Sequence, residues 1–160
     1  MDRLLVAVMG NRNAGKSHTW NTLFGRTVRT GKEQRSLEVA KATHVDVFLA
    51  SGSPEERNLY VGDIVATSKA RIVLCSVQYI PESRKTFDYF IAEGFSLYVQ
   101  WLNPGHGDRS QTPESLGLLN FLLHHQSVVS IRDGTIGAEP RVREIRELIH
   151  GWASSRGLTY

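Results

Sequence analysis

Short apolar runs alternate along the chain with stretches in which apolar residues recur at helical spacing. The first run, Leu4 to Met9, is almost continuously apolar, as a strand covered on both faces must be. A helix is expected from Lys16 to Gly25, with Trp20, Leu23 and Phe24 spaced to face a sheet. Leu37 and Val39, then Val45, Val47 and Leu49, occupy alternate positions and predict strands over 36–40 and 44–50. Only Lys41-Ala42-Thr43 separates them, too short for the crossover of about a dozen residues that a parallel pair needs, so an antiparallel hairpin is expected. Ser53-Pro54-Glu55-Glu56 places serine at an N-cap, proline at the first helical position and glutamate three residues after the cap, which predicts a helix to about Ser68. The pattern continues with a strand over 71–77 and a helix from Glu82 to Glu93 that carries Phe87, Phe90 and Ile91 on one face and stops at Gly94. A strand from Ser96 to Leu102 follows, then a helix opening at Thr112-Pro113 with Leu116, Leu119, Leu122 and Leu123 as its apolar face. Val128 to Ile131 makes a further strand, and Pro140 to Ser154 a last helix with the stripe Val142, Ile145, Leu148, Ile149 and Trp152. Some six strands alternating with helices predict a three-layer α/β/α domain, mostly parallel with one antiparallel hairpin.

At 160 residues the chain is expected to form one domain, 1–160, with an ordinary hydrophobic core. It has no internal repeat, and its longest polar, glycine-rich interruption is NPGHGDRSQTP, 103–113, a loop of functional length. Nineteen Lys and Arg against sixteen Asp and Glu leave a formal charge of +3, so nucleic acid is not indicated. No run approaches the ~18 apolar residues of a membrane span. The apolar stretch at the N-terminus enters a glycine-rich loop without a small-residue cleavage site, unlike a signal peptide. Cys75 is the single cysteine and adjoins Ile72-Val73-Leu74, so it reads as a small core hydrophobe rather than a nucleophile. A reducing, cytoplasmic setting is the expectation.

Between the first strand and the first helix, Gly10-Asn11-Arg12-Asn13-Ala14-Gly15-Lys16-Ser17 matches G-x-x-x-x-G-K-[ST] at every defined position. Chance alone would give such a match in on the order of 1 in 200 chains of this composition. The placement suits the chemistry: backbone N–H groups converge on phosphate oxygens, the helix N-terminus adds partial positive charge, and glycines allow close approach. Lys16 would reach the β and γ phosphates and the Ser17 hydroxyl would ligate Mg²⁺. The bland alternative is a tight strand-to-helix turn with a surface lysine.

The stretch VAVMGNRNAGKSHTWNTLFGR resembles the first nucleotide-binding motif of the Era-like branch of P-loop GTPases, at Asn13, Gly15, Lys16, Ser17, Asn21, Leu23 and Gly25. The element order beyond it is similar to that family's G domain. The resemblance implies a P-loop NTPase fold that binds GTP or ATP with Mg²⁺ through Gly10, Asn11, Arg12, Asn13, Ala14, Gly15, Lys16, Ser17 and His18. It also implies a threonine closing over Mg²⁺ from the loop after the first helix, where Thr27 and Thr30 stand and Arg26 and Arg29 could offer positive charge. Lys16 and Thr30 are the expected catalytic residues, and Ser17 the metal ligand.

Other family motifs are altered. The aspartate expected after the third strand is replaced by Ala50 or Ser51. Asp46, four residues back, lies roughly 13 Å from the strand's end at ~3.3 Å per residue. The next strand ends in Ser76-Val77-Gln78, without a carboxylate. The guanine-reading motif is reduced to Asn103, followed by Pro104, Gly105 and His106, with Asp108 two residues late; Asn103 is kept as a base contact, against a plain turn asparagine. Three functions follow: a slow NTPase acting as a switch, a small-molecule kinase with Arg109 on a lid, or a nucleotide-binding module that does not hydrolyse. A protein partner or a second copy could complete the site. His124-His125 should cap helical carbonyls, and Arg141, Arg143 and Arg146, alternating with Glu144 and Glu147, should form an exposed salt-bridged face.

Overall fold

The computed structural model describes residues 1–54, 60–104 and 115–160. Its strands are β1 (Arg3–Gly10), β2 (Arg35–Ala40), β3 (Thr43–Ala50), β4 (Ile72–Gln78), β5 (Phe95–Leu102) and β6 (Val128–Arg132). Its helices are α1 (Lys16–Phe24), α2 (Val61–Val65, continued by a 3-10 turn Ala66–Ser68), α3 (Ser83–Ala92), α4 (Leu118–His124) and α5 (Glu139–Ser154). All strands join one six-stranded sheet in the order β2-β3-β4-β1-β5-β6, parallel except for the β2–β3 hairpin.

The continuous apolar run of β1 is explained by its central place: Leu4 to Met9 are all buried, alternately toward the two faces. On one face Leu4, Val6 and Val8 pack with Trp20 and Leu23 of α1 and Val142, Ile145 and Ile149 of α5. On the other, Leu5, Ala7 and Met9 pack with Val61 and Val65 of α2, Phe87 and Phe90 of α3, and Leu118, Phe121 and Leu122 of α4. These are the three layers, and Cys75 is buried in the second core. Phe24, Ile91, Leu148 and Trp152 pack at the margins, partly buried.

Several expectations change at the edges. The predicted helix over 53–68 is described only as Val61–Val65 with its 3-10 extension; 55–59 lie outside the described residues. The proposed helix start Thr112-Pro113 also lies outside them, and α4 is capped by Gly117 in the left-handed region (φ 70°). Leu123 is 54% exposed instead of core, because Leu118, Phe121 and Leu122 supply the buried face. His124 Nδ1 does lie 2.8 Å from the Asn120 carbonyl oxygen, within its own helix.

The hairpin forms although its turn lacks glycine and asparagine. Thr43 pairs with Ala40 across a register shift, and Ala42 takes the left-handed conformation with φ 55°. A Cβ there costs free energy that glycine avoids. Ala42→Gly should therefore stabilise the fold by about 0.5–1 kcal/mol in chemical denaturation; a loss of stability would refute this account of the turn.

Strand order places the edge that holds the candidate site. From β1 the chain moves out to β2, returns through β3 and β4, then passes over β1 to β5 and β6. The helices after β1 and after β4 lie on opposite faces, so a crevice opens at the carboxyl end of β1, where open parallel sheets take ligands.

Candidate phosphate-binding site

At that crevice β1 ends in Gly10, and the loop to α1 turns through two left-handed residues, Asn13 (φ 64°) and Gly15 (φ 105°). A Cβ on Gly10 would stand 2.8 Å from Ala14 Cβ and 3.1 Å from Leu102 O, so the loop can fold back this closely only over glycine. Lys16, 7% exposed, returns under the loop and donates from Nζ to Gly10 O and Asn11 O (both 3.0 Å) and to Gln78 Oε1 (3.1 Å). The first turn of α1 has no acidic residue and no side-chain cap. The leading N–H groups of a helix lack partners within it, so this turn faces outward as a donor set.

These groups surround a cavity of about 360 Å³ lined by Arg12, Asn13, Gly15, Lys16, Ser17, His18 and Ser51. The structure thus brings together most of the expected loop set; Gly10, Asn11 and Ala14 form the loop's framework behind it. A second cavity of about 500 Å³ shares Ser17 and Ser51 and is lined further by Asn21, Thr27, Val28, Arg29, Thr30 and Gly52. Thr30 therefore stands beside the Ser17 hydroxyl's cavity, not inside the first. The loop that carries it is anchored at both ends: Asn21 Oδ1 accepts from Val28 N–H (2.9 Å), Gly31 N–H donates to Leu49 O (3.0 Å), and Gly52 N–H donates to Thr30 Oγ1 (3.4 Å). Gly25, left-handed at φ 68°, ends α1 and starts this loop. Arg26 lines neither cavity; it faces a separate cleft of about 700 Å³ with Lys41, His44 and Arg146.

The missing carboxylate has a topological side. β4 lies between β3 and β1, so the strand end beside the Gly10–Ser17 loop is Gln78, while Ala50 and Ser51 lie one strand further out. Gln78 reaches Lys16 as a neutral amide. Asp46 lies at the other half of β3, where it accepts from Tyr160 Oη at 2.7 Å. Glu55, Glu56, Asp108 and Arg109 fall outside the described residues. Among the described residues no group of three or more His, Cys, Asp or Glu could hold a metal.

Sequence reasoning missed the loop between β6 and α5. Asn103 is brought to the same edge, but its amide is engaged within the protein: Oδ1 accepts from Gly134 N–H, and Nδ2 donates to Asp133 Oδ1 at 2.9 Å. Asp133 Oδ1 also accepts from Thr135 N–H (2.8 Å) and Thr135 Oγ1 (2.6 Å). Bonds from Thr135 and Asn103 hold the Asp133 carboxyl down at about 2, from 3.8. A depressed carboxyl stabilises the folded loop fully above its unfolded value, and the contribution is lost as pH falls through the folded one, here between about 4 and about 2. An NMR titration of the Asp133 carboxyl should find a midpoint near 2; a midpoint at the ordinary value would rule out these bonds.

The arginine-rich face of α5 is not a solvated salt-bridge ladder. Arg141 is 3% exposed and turns toward the phosphate loop. Arg146 donates to Leu23 O (3.0 Å). Glu144 takes bonds from Tyr98 Oη, Ser130 Oγ (2.7 Å) and Arg132 Nε (2.7 Å) rather than from its helical neighbours. Burial pulls the Glu144 carboxyl upward, yet those bonds outweigh it and leave the carboxyl below its ordinary range; burial and the carboxylate push the Tyr98 phenol up to about 12. One signal for Arg141 was present in the sequence: it lies four and eight residues before Ile145 and Ile149, on the buried stripe.

No protein-family model and no curated protein matches the chain. Among the described residues, no helix is long and apolar enough to cross a membrane.

Proposed function

We propose that this chain binds a nucleoside triphosphate, GTP or ATP, with Mg²⁺ in the Gly10–Ser17 loop and acts as a slow NTPase switch. The observation that carries the reading is the position of Lys16: its ammonium is gathered under a loop that opens an uncapped helix at the sheet's crevice. A polyphosphate placed there meets the lysine, the helix N-terminus and the converging N–H groups together. The fit to Mg²⁺ rests on hard oxygen donors: Ser17 would hold the ion, with the Thr30 and Ser51 hydroxyls in the adjoining cavities. Mg²⁺ characteristically keeps waters and phosphate oxygens and takes few protein ligands. When bound, it would neutralise charge on the phosphates. The anchored loop over 25–34 is the segment that such a ligand would reshape, and the cytoplasm is the compartment this reading implies.

A second reading, a nucleotide-binding module without turnover, is favoured by Gln78 and Ser51 standing where a hydrolase of the resembled family would hold an acid. Its partner would be another protein or a second copy. A small-molecule kinase needs a base for the acceptor hydroxyl, and among the described residues none that lines the two cavities supplies a carboxylate.

Titration with mantGTP and mantATP in the presence of Mg²⁺ tests binding, and competition between the unlabelled nucleotides fixes the base preference. Absence of a saturable signal from both would end the proposal. Phosphate release by the wild type above that of Lys16→Ala supports the switch; equal background from both leaves the module, and turnover dependent on an added acceptor leaves the kinase.

A further inference from the structure

We propose that Arg141 is a positioning residue of the phosphate loop: its buried guanidinium, seated behind Gly15, fixes the loop's donor geometry and adds a second positive charge beneath the bound polyphosphate. This rests on the nucleotide-binding reading and deepens it.

The guanidinium is a junction between segments far apart in sequence. Its Nε donates to Thr19 Oγ1 (3.0 Å), Nη2 to Gly15 O (3.4 Å), and Nη1 to Asp133 O (3.3 Å) and Ile136 O (3.2 Å). Thr19 Oγ1 in turn donates to Gly15 O at 2.8 Å. One side chain of α5 thereby holds the first turn of α1, the loop's second glycine and the loop after β6. The Gly15 carbonyl accepts the helical bond from Thr19 N–H (3.0 Å) and is held further by Thr19 Oγ1 and Arg141 Nη2. In a trans peptide the carbonyl and the following N–H point in opposite directions, so anchoring Gly15 O aims the Lys16 N–H the other way, toward the side on which Gly15, Lys16 and Ser17 line the cavity.

Charge gives a second, independent argument. Among the described residues, the buried polar and charged side chains include Lys16 and Arg141 and no aspartate or glutamate. Both buried cations flank Gly15. Among the described residues, the carboxylate that acts on Arg141 is Asp133, which is exposed and held by Asn103 and Thr135. Neutral carbonyls and a hydroxyl compensate a buried guanidinium only in part. A polyanion in the adjoining cavity compensates it further; the attraction grows with the anion's charge and is screened less through protein than through water.

The test uses the full chain with Arg141→Met and Arg141→Lys, titrated with mant-labelled tri- and diphosphates and by competition with inorganic tripolyphosphate and pyrophosphate. For R141M we expect about a 30-fold loss of triphosphate affinity and about a 5-fold loss for the diphosphate, so that the tri-to-diphosphate preference shrinks. R141K keeps the charge and should keep that preference, with affinity within about 10-fold of wild type. The inorganic anions should follow the same order, since the effect requires no base. R141M binding as tightly as wild type overturns the proposal. So does an equal loss for tri- and diphosphate in both variants, which would mark Arg141 as packing alone. Should R141M fail to fold, R141K decides: a retained preference supports the proposal, and one collapsed toward unity overturns it. A wild type that binds none of these anions overturns the nucleotide reading as well, whereas binding unaffected by R141M overturns only this inference.

Discussion

Gly134→Ala should lower the stability of the fold by about 3 kcal/mol, which for a domain of this size is a fall of roughly 6–12 °C in Tm. Gly134 lies where the loop after β6 rests on the phosphate loop. A Cβ built there runs into the carbonyl oxygen of Ala14 and stands 3.0 Å from Asn103 Oδ1. The obstacle is backbone, so no change of rotamer relieves it, and separating the two loops would break the Gly134 N–H bond to Asn103 as well. Gly15 closes the contact from the other side, since a Cβ there would stand 2.6 Å from Gly134 O. The control is Gly137→Ala in the same loop, where an added Cβ meets nothing within 4 Å; it should change stability by no more than about 0.5 kcal/mol. Thermal unfolding of both variants decides. A G134A protein that melts with wild type would mean that the two loops are not in contact.

That contact marks the boundary of what the sequence made legible. The strand–loop–helix arrangement around Gly10–Ser17 could be read because its determinants are local: Gly10, Gly15, Lys16 and Ser17 stand within eight residues, between an apolar run and a helix. The β2–β3 hairpin followed from loop length alone. Even the N-x-L-x-G stretch has a local cause, in which Asn21 receives Val28 N–H, Leu23 enters the core and Gly25 closes α1 in the left-handed region. Strand order is not a local property. Nothing between residues 44 and 78 announces that β4 will sit between β3 and β1, yet this brings Gln78 to the lysine and sets the end of β3 one strand further out. Arg141 was misread because charge outweighed position: alternation with Glu144 suggested a wet face, while its spacing to Ile145 put it on the buried one. Asn103 stands directly after β5, as its place in the sequence predicted, but its bonds to Asp133 and Gly134 depend on a loop 30 residues away. Leu123 shows the same limit on the outer surface, since a short helix with four apolar neighbours can present more than one face to a core.

Lys16→Met should remove about 100-fold or more of the nucleotide affinity while leaving the free protein at least as stable as wild type. The asymmetry follows from the lysine's surroundings. In the free chain its ammonium is buried and bonded to the carbonyls of Gly10 and Asn11 and the amide oxygen of Gln78. Burying an ammonium carries a desolvation cost that these bonds to neutral acceptors offset in part, and methionine of similar length has no charge to desolvate. Toward a polyphosphate the balance reverses, because charge-assisted bonds of roughly 1.5–3 kcal/mol each are lost, and about 2.7 kcal/mol corresponds to 100-fold in affinity. A ligand held at 100 times its Kd stabilises the wild type by about 2.7 kcal/mol, whereas a variant binding 100-fold more weakly gains only about 0.4 kcal/mol at the same concentration. Melting curves with and without Mg²⁺ and nucleotide read both quantities in one experiment. A K16M protein that is unfolded without ligand would make the lysine a structural brace. One that melts like wild type and still shows the full ligand-induced shift would place the nucleotide elsewhere than the Gly10–Ser17 loop.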